Sequence, residues 1–409
     1  MTAAVLIQRI AAGGDGVGRL EDGMAVFVPR TAPGDLVEVT LTERRARFAR
    51  GYPVRIATRA PVRVAPTCPH YEADRCGGCQ LQHLAPAAQL DAKLAIVRET
   101  LRRIGGVDVP GLEIVAAPSP WRYRTTITLA AGSGGVLGLH PWDRPDQVFA
   151  LDDCHIASTV LMNLWHRVRA CRPLLPDDVT HLMLREDRDG GLHALVRGGS
   201  PPWDPAPLAA SLGVPLPTLW WEPEGGAPRV LVGARTGYPA TAFAQVQPGL
   251  ADQVRSEAIE ALGEVAGRVV WDLYGGTGDA ARALAARGAQ VWSVDADPSA
   301  VSWARDRASV PGAVPPRYLE GRVEEVLHRL PEATAVLLNP PRAGADKRVL
   351  AALDRAAGRT LRLAYVSCDP ATLARDLTRL SRYRVTHASA YDLFPQTSHV
   401  ETLVALEAV

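Results

Sequence analysis

The sequence predicts an α/β protein. Its C-terminal part reads as an open, mostly parallel sheet with helices on both faces, preceded by a small β-barrel and an α+β middle region. Three observations predict this. From about residue 237 onward, strand-like apolar runs alternate with helical ones, the pattern of a doubly wound sheet. Residues 1–60 hold short β-type runs separated by glycine turns. Between them the pattern is mixed. At 409 residues the chain also exceeds what one hydrophobic core organises. The expected division is 1–60, 61–236 and 237–409.

In the first segment the β-type runs are Val5–Arg9, Ala25–Pro29 and Leu36–Leu41, punctuated by Gly13-Gly14-Asp15-Gly16 and Ala32-Pro33-Gly34-Asp35. A basic stretch follows, with Arg44, Arg45, Arg47 and Arg50. Small barrels of this kind often bind oligonucleotides on one face, and a solvated surface strand is the alternative reading. Residues 61–67 read as a linker. Helical spacing runs over Ala87–Ile104 and Ala157–Ala170, and strand-like runs over Tyr123–Ala130 and Leu192–Val196. In the last segment the strands are expected at 268–274, 290–295, 335–338, 362–367, 384–389 and 401–407. Helices are expected at 278–287, 298–307, 345–357 and 370–380.

Charge is balanced, with 45 basic and 44 acidic residues and a net +1. That excludes a protein gripping nucleic acid everywhere through bulk charge, but not one with a local basic face. No run of about 20 apolar residues suggests a membrane span, and the first residues lack a signal-peptide pattern. A cytoplasmic location and a monomer are expected. Three of the six cysteines crowd into one short segment, which in a reducing compartment suggests a metal or cluster site over disulfides.

The segment Val270-Trp271-Asp272-Leu273-Tyr274-Gly275-Gly276-Thr277-Gly278-Asp279 is an apolar strand, a glycine turn and a helix start. Such turns let backbone approach a ligand closely. A second strand ends in Asp295, placed to accept hydrogen bonds from ribose hydroxyls. A glycine turn alone fits several nucleotide cofactors, but the spacing is not Gly-x-Gly-x-x-Gly, and an acid such as Asp272 closing the first strand is typical of methyltransferases.

Three motifs lie at later strand ends: Asn339-Pro340-Pro341-Arg342, Val366-Ser367-Cys368-Asp369-Pro370 and Ser398-His399-Val400-Glu401-Thr402. C5 of uracil is a poor nucleophile. A thiolate adding at C6 activates it, and a base must afterwards remove the C5 proton. Cys368 and Glu401 fit these two roles, with Asn339 or Arg342 orienting base or cofactor. A lone cysteine at a strand end is more often a small hydrophobe. Here Pro370 opens a helix, and a helix N-terminus is expected to lower the Cys368 pKa. Upstream, Cys76 and Cys79 form a C-x-x-C pair near Cys68, and Cys154 is the best fourth ligand. Four thiolates fit zinc or an iron–sulfur cluster, and spacing alone does not separate them. His70, His155 and Cys171 read as structural.

Over nearly its whole length the chain resembles the uracil-5 RNA methyltransferase family. The Ser367-Cys368-Asp369-Pro370 and His399-Val400-Glu401 motifs carry the resemblance most specifically, as nucleophile and base. It implies a Rossmann-like class I methyltransferase domain using S-adenosyl-L-methionine, an OB-like TRAM barrel and a structured rRNA or tRNA substrate. Phe243-Ala244-Gln245 resembles the family's Phe-x-Gln motif, which implies that Gln245 touches the cofactor together with Asp272, Tyr274, Gly275, Gly276, Gly278, Asp295 and Asn339. The resemblance also implies a [4Fe-4S] cluster on Cys68, Cys76, Cys79 and Cys154. The sequence departs from the family at Asn339, which stands where an aspartate is usual, at Gln247 in place of a common asparagine, and in a longer gap from Cys68 to Cys76. A cytosine-5 methyltransferase shares the thiolate logic but usually carries Pro-Cys, where this chain has Ser367-Cys368. A radical enzyme would show Cys-x-x-x-Cys-x-x-Cys, which is absent. A non-catalytic RNA-binding protein would have no need of the Cys368 and Glu401 pair.

Overall fold

In the strand Thr2–Ile10, buried Val5 and Ile7 alternate with exposed Ala4, Leu6 and Gln8, and a register shift between Ile7 and Arg9 brings Ile10 inward. This period-two pattern is repeated around a closed five-stranded barrel. A computed structural model describes residues 2–200, 203–233, 237–360 and 362–409. In the barrel the order is Thr2–Ile10, Gly16–Arg19, Ala25–Val28, Phe48–Thr58, Leu36–Arg44, closed by antiparallel pairing of the last strand with the first. Val26, Val28, Val37 and Val39 fill its interior. Closure leaves no free strand edge.

By contacts the chain forms two units. The first holds residues 1–92, 118–236 and 394–398. Beyond the barrel it contains the cysteine-rich segment and a seven-stranded sheet. That sheet runs Arg229–Val232, Thr218–Glu222, Leu192–Gly198, Val179–Glu186, Thr126–Ala131, Leu137–Leu139, Phe149–Ala150. The helix Thr159–Ala170 is capped by Ser158, whose Oγ accepts the Leu161 N–H at 3.1 Å. Its Leu161, Leu164, Trp165 and Val168 join the core that covers this sheet.

The second unit holds 93–117, 237–393 and 399–409. Its eight-stranded sheet runs Arg317–Glu320, Gln290–Asp295, Val269–Leu273, Ala335–Leu338, Arg362–Ser367, Glu401–Ala408, Tyr383–Tyr391, Glu113–Val115. The first five strands are parallel. Glu401–Ala408 runs antiparallel to both neighbours. This is the class I methyltransferase order, with its switch point between Val269–Leu273 and Ala335–Leu338.

The sequence reading groups 93–117 with the middle region, and the structure divides the chain differently. The helix Pro86–Arg103 contributes Val97 and Leu101 to the core of the second unit. Lys93, fully buried on that helix, pairs with Asp392, and Glu113–Val115 adds a parallel edge strand beside Tyr383–Tyr391. Helical periodicity announces the helix but not the sheet it covers. No helix among the described residues is long and apolar enough to cross a membrane.

Candidate active site

Parallel strands bring their C-terminal ends to one edge, so Asp272, Asp295, Asn339 and Cys368 share that edge. Asp272 is fully buried and accepts a hydrogen bond from Ser293 Oγ at 2.9 Å. Burial pushes its carboxyl up to about 6, with the Ser293 bond opposing and the nearby Asp295 charge adding. Gly275 lies against this pair. A Cβ there would run into the Ser293 hydroxyl and the Asp272 carboxylate, so only glycine lets the turn approach the acid. Gly276 and Gly278 hold φ of 53° and 76°, and Gly278 precedes the helix Asp279–Ala286. Asp295 accepts the Gly276 N–H at 2.8 Å and the Asp297 N–H at 2.8 Å, which fixes its carboxylate beside the turn with lone pairs left for hydroxyl donors.

Tyr274 is placed differently from the rest of the turn. It takes a left-handed φ of 64°, and its ring packs on the core while its hydroxyl accepts the Asp346 N–H at 3.3 Å. The side chain therefore braces the loop after Asn339-Pro340-Pro341-Arg342. Asn339 donates its backbone N–H to Leu273 O at 3.2 Å, at the switch point. Gln245 is half-buried in the segment leading to the helix Pro248–Ala261. Its neighbour Gln247 is buried, and its Oε1 has no hydrogen-bond partner. In the sequence its only signal is the departure from asparagine.

Cys368 and Glu401 meet through strand register. Ser367 pairs with Thr402 in the antiparallel ladder, and one step outward along both strands stand Cys368 and Glu401. Glu401 is 1% exposed, and its Oε2 has no hydrogen-bond partner. Burial pushes its carboxyl up to about 7, with the Arg342 guanidinium pulling the other way. Arg342, exposed on the loop after Asn339, also lies close enough to the Cys368 thiol to favour its ionised form.

The thiol runs against expectation. The helix Pro370–Leu377 does begin two residues on, capped by Asp369, whose Oδ1 accepts the Thr372 N–H at 2.7 Å. Yet the Cys368 pKa is raised, first by burial and then by the Glu401 charge, with Arg342 lowering it. Desolvation and a neighbouring anion outweigh the helix terminus. Alkylation of Cys368 by iodoacetamide, followed by mass spectrometry of its peptide, is expected to show a midpoint above the ordinary thiol value of 9.0. Glu401→Gln moves that midpoint down by removing an anion, and Arg342→Met moves it up. A midpoint below the ordinary value in the unaltered protein would refute this balance.

In the first unit, Cys68, Cys76 and Cys79 are buried and Cys154 is half-buried. Burial raises the Cys76 thiol to about 11 and Cys79 to about 12, and each also feels the charges of the other cysteines in the set. Cys154 is raised for the same first reason and feels Cys68. The Gly78 N–H donates to Cys76 Sγ at 3.4 Å. Among the described residues no group of three or more His, Cys, Asp and Glu side chains is arranged to hold a metal ion. His70 is engaged on both sides, with Nδ1 on Asp74 at 2.6 Å and Nε2 on the Asp152 N–H at 3.2 Å. Cys171 packs against the core below the seven-stranded sheet.

The sheet order, the glycine turn against Asp272 and the Asp295 carboxylate bonded to that turn define a class I, adenosylmethionine-dependent methyltransferase. The model of tRNA (uracil-5-)-methyltransferases matches residues 321–409, which include Asn339, Cys368 and Glu401, and the TRAM domain model matches residues 2–54. An uncharacterized RNA methyltransferase of Gloeobacter violaceus is 32% identical over 99% of this chain and 96% of its own. A 23S rRNA (uracil(1939)-C(5))-methyltransferase of Halomonas elongata is 33% identical over 98% of this chain and 89% of its own. The crystal structure of the Pyrococcus abyssi tRNA (uracil-54, C5)-methyltransferase with S-adenosyl-L-homocysteine superposes with a TM-score of 0.72 at 23% identity, covering 98% of this chain and 100% of that one. The chain belongs to the uracil-5 RNA methyltransferase family.

The glycine turn yields a direct test. Gly275→Ala is expected to weaken S-adenosyl-L-homocysteine binding at least about tenfold by calorimetry and also to lower the melting temperature, because the new Cβ displaces the buried Asp272–Ser293 pair. Unaltered affinity would show that the turn's approach to Asp272 does not shape the cofactor site.

Proposed function

We propose that the chain methylates C5 of a uridine in structured rRNA or tRNA through a covalent bond between Cys368 and C6. The observation that carries this is the register that sets Cys368 against Glu401, with Arg342 beside both. The target uridine leaves its stack to reach the half-buried thiol. Sγ loses its proton to solvent and bonds to C6, and the C5–C6 electron pair shifts into an enolate that the Arg342 guanidinium would stabilise. Bound adenosylmethionine would supply an electrophilic methyl for C5, with S-adenosyl-L-homocysteine as the leaving group. The Glu401 carboxylate then takes the C5 proton, the C5–C6 double bond re-forms, and Sγ leaves. A carboxyl near 7 suits a base that must hold and release a proton at neutral pH. Gln245, Asp272, Gly275, Gly276, Gly278, Asp295 and Asn339 hold the cofactor, together with the main chain of Tyr274.

Cys68, Cys76, Cys79 and Cys154, three buried and one half-buried, feel one another's charge, and an all-thiolate set suits a [4Fe-4S] cluster by its chemistry, although the four side chains are not gathered around a metal position. Its role is to hold this segment in shape, since methyl transfer requires no electron. Iron and labile sulfide are expected in protein purified without oxygen. Zinc at one ion per chain would replace the cluster in this reading.

Relatives over this length are named for a uracil of 23S rRNA, so that RNA is the substrate proposed first. Labelled methyl from adenosylmethionine is expected in 5-methyluridine when the enzyme is given total RNA from a strain lacking it, and in the 23S fraction. Label in transfer RNA would change the substrate. Label in 5-methylcytidine would overturn the base, and no label at all would overturn the activity.

A further inference from the structure

We infer that the first unit carries a second nucleotide site, which takes an unpaired base of the RNA and its phosphate in a cleft between the barrel and the cysteine-rich segment. The inference rests on the RNA substrate proposed above. It adds a subsite separate from the one that receives the target uridine.

The cleft has a volume of about 340 Å³, at the small end of ligand pockets. The barrel supplies one wall with Phe27, Arg50 and Tyr52, and Gln80, Cys79 and Trp142 form the other. Tyr52 and Trp142 stand 5.5 Å apart between ring centroids, tilted by 53°. Tyr52 is 45% exposed although large and aromatic. Open aromatic faces beside cations are how single-stranded nucleic acid is held, because every base has a face to stack.

The charges lie where a phosphate would need them. The Arg50 guanidinium sits 5.7 Å and 5.8 Å from the Phe27 and Phe48 ring centroids. Its ion pairs to Asp15 and Glu43 are loose, at 3.5 Å and 3.8 Å, and its side chain is 53% exposed. An anion can therefore recruit it. Arg30 also lines the cleft, and its Nη1 is buried with no hydrogen-bond partner. The walls are set before any ligand arrives. Arg30 Nη2 donates to Cys76 O at 2.6 Å, the Gly77 N–H donates to His140 O at 2.9 Å, and the Trp142 N–H donates to Arg75 O at 2.8 Å. Preformed walls reduce the ordering that binding requires.

The test uses the full chain, purified with its metal content intact, and fluorescein-labelled rA6 and rU6 hexamers read by anisotropy. Tyr52→Ala and Trp142→Ala are each expected to weaken hexamer binding about fivefold or more, while Tyr52→Phe binds as the unaltered protein does. Arg50→Ala is expected to reduce the slope of log affinity against log salt by about one. Unaltered S-adenosyl-L-homocysteine affinity in each variant certifies the fold. Hexamer binding untouched by both alanine variants overturns the inference, as does a Tyr52→Phe protein as weak as Tyr52→Ala. Either result alongside normal 5-methyluridine formation leaves the proposed reaction standing. Loss of hexamer binding in the alanine variants, with no methyl transfer to any RNA by the unaltered enzyme, supports the site and sinks the reaction.

Discussion

Cys368→Ala is expected to reduce methyl transfer by at least about 10⁴-fold, the scale on which removal of a covalent nucleophile acts. Without Sγ at C6, C5 of uracil has no electron pair available to an electrophilic methyl, so neither a well-bound cofactor nor a well-placed base rescues turnover. RNA affinity should stay within about threefold. The half-buried thiol is a small part of any RNA-facing surface, and losing one sulfur from a partly exposed site costs little stability. Single-turnover transfer of labelled methyl measures the first quantity and filter binding the second. Turnover above about one per cent of the unaltered enzyme would remove Cys368 from the reaction. An equal loss of RNA affinity would mean that the residue serves binding instead.

Much of this site is legible in the sequence because parallel strands convert linear order into spatial convergence. Val269–Trp271 and Ala335–Leu338 are continuous apolar runs, as strands covered on both faces must be. Once they are known to be parallel, Asp272, Asn339 and Cys368 share an edge. Glu401 is different. It starts an antiparallel strand, and its nearness to Cys368 depends on the pairing of Ser367 with Thr402, a register no local pattern specifies. Motif resemblance supplies what periodicity does not. The thiol's raised pKa escapes the sequence because a helix start is local, whereas the burial of Cys368 and the Glu401 charge are tertiary. Tyr274 escapes for the same reason, since its partner Asp346 lies 72 residues on. The assignment of 93–117 to the catalytic sheet follows from one buried ion pair, Lys93 with Asp392, and a short edge strand. Neither leaves a mark in a window of ten residues.

Glu401→Gln is expected to separate the two halves of the reaction and to change stability in a pH-dependent way. An amide cannot take the C5 proton, so the Cys368 adduct with methylated RNA should accumulate as a denaturant-resistant band while turnover falls about 10²- to 10⁴-fold. The stability effect follows from the same burial. The folded-state value of about 7 lies above the ordinary 4.5, so the folded protein holds this proton more tightly than the unfolded chain. Its contribution is fully present below about 4.5 and is lost as pH rises through about 7. At higher pH the buried carboxylate costs up to about 3 kcal/mol relative to its neutral form, at about 1.4 kcal/mol per pKa unit. Glutamine stays neutral throughout. The variant should therefore melt at a higher temperature than the unaltered protein at pH 9, with the difference closing towards pH 5. If Glu401 is the proposed base, its burial destabilises the fold in the ionised state that the reaction uses, and the substitution that removes turnover relieves that cost. Equal melting at pH 9 would show that Glu401 is ionised at little cost. Normal turnover without a trapped adduct would assign the proton to another group.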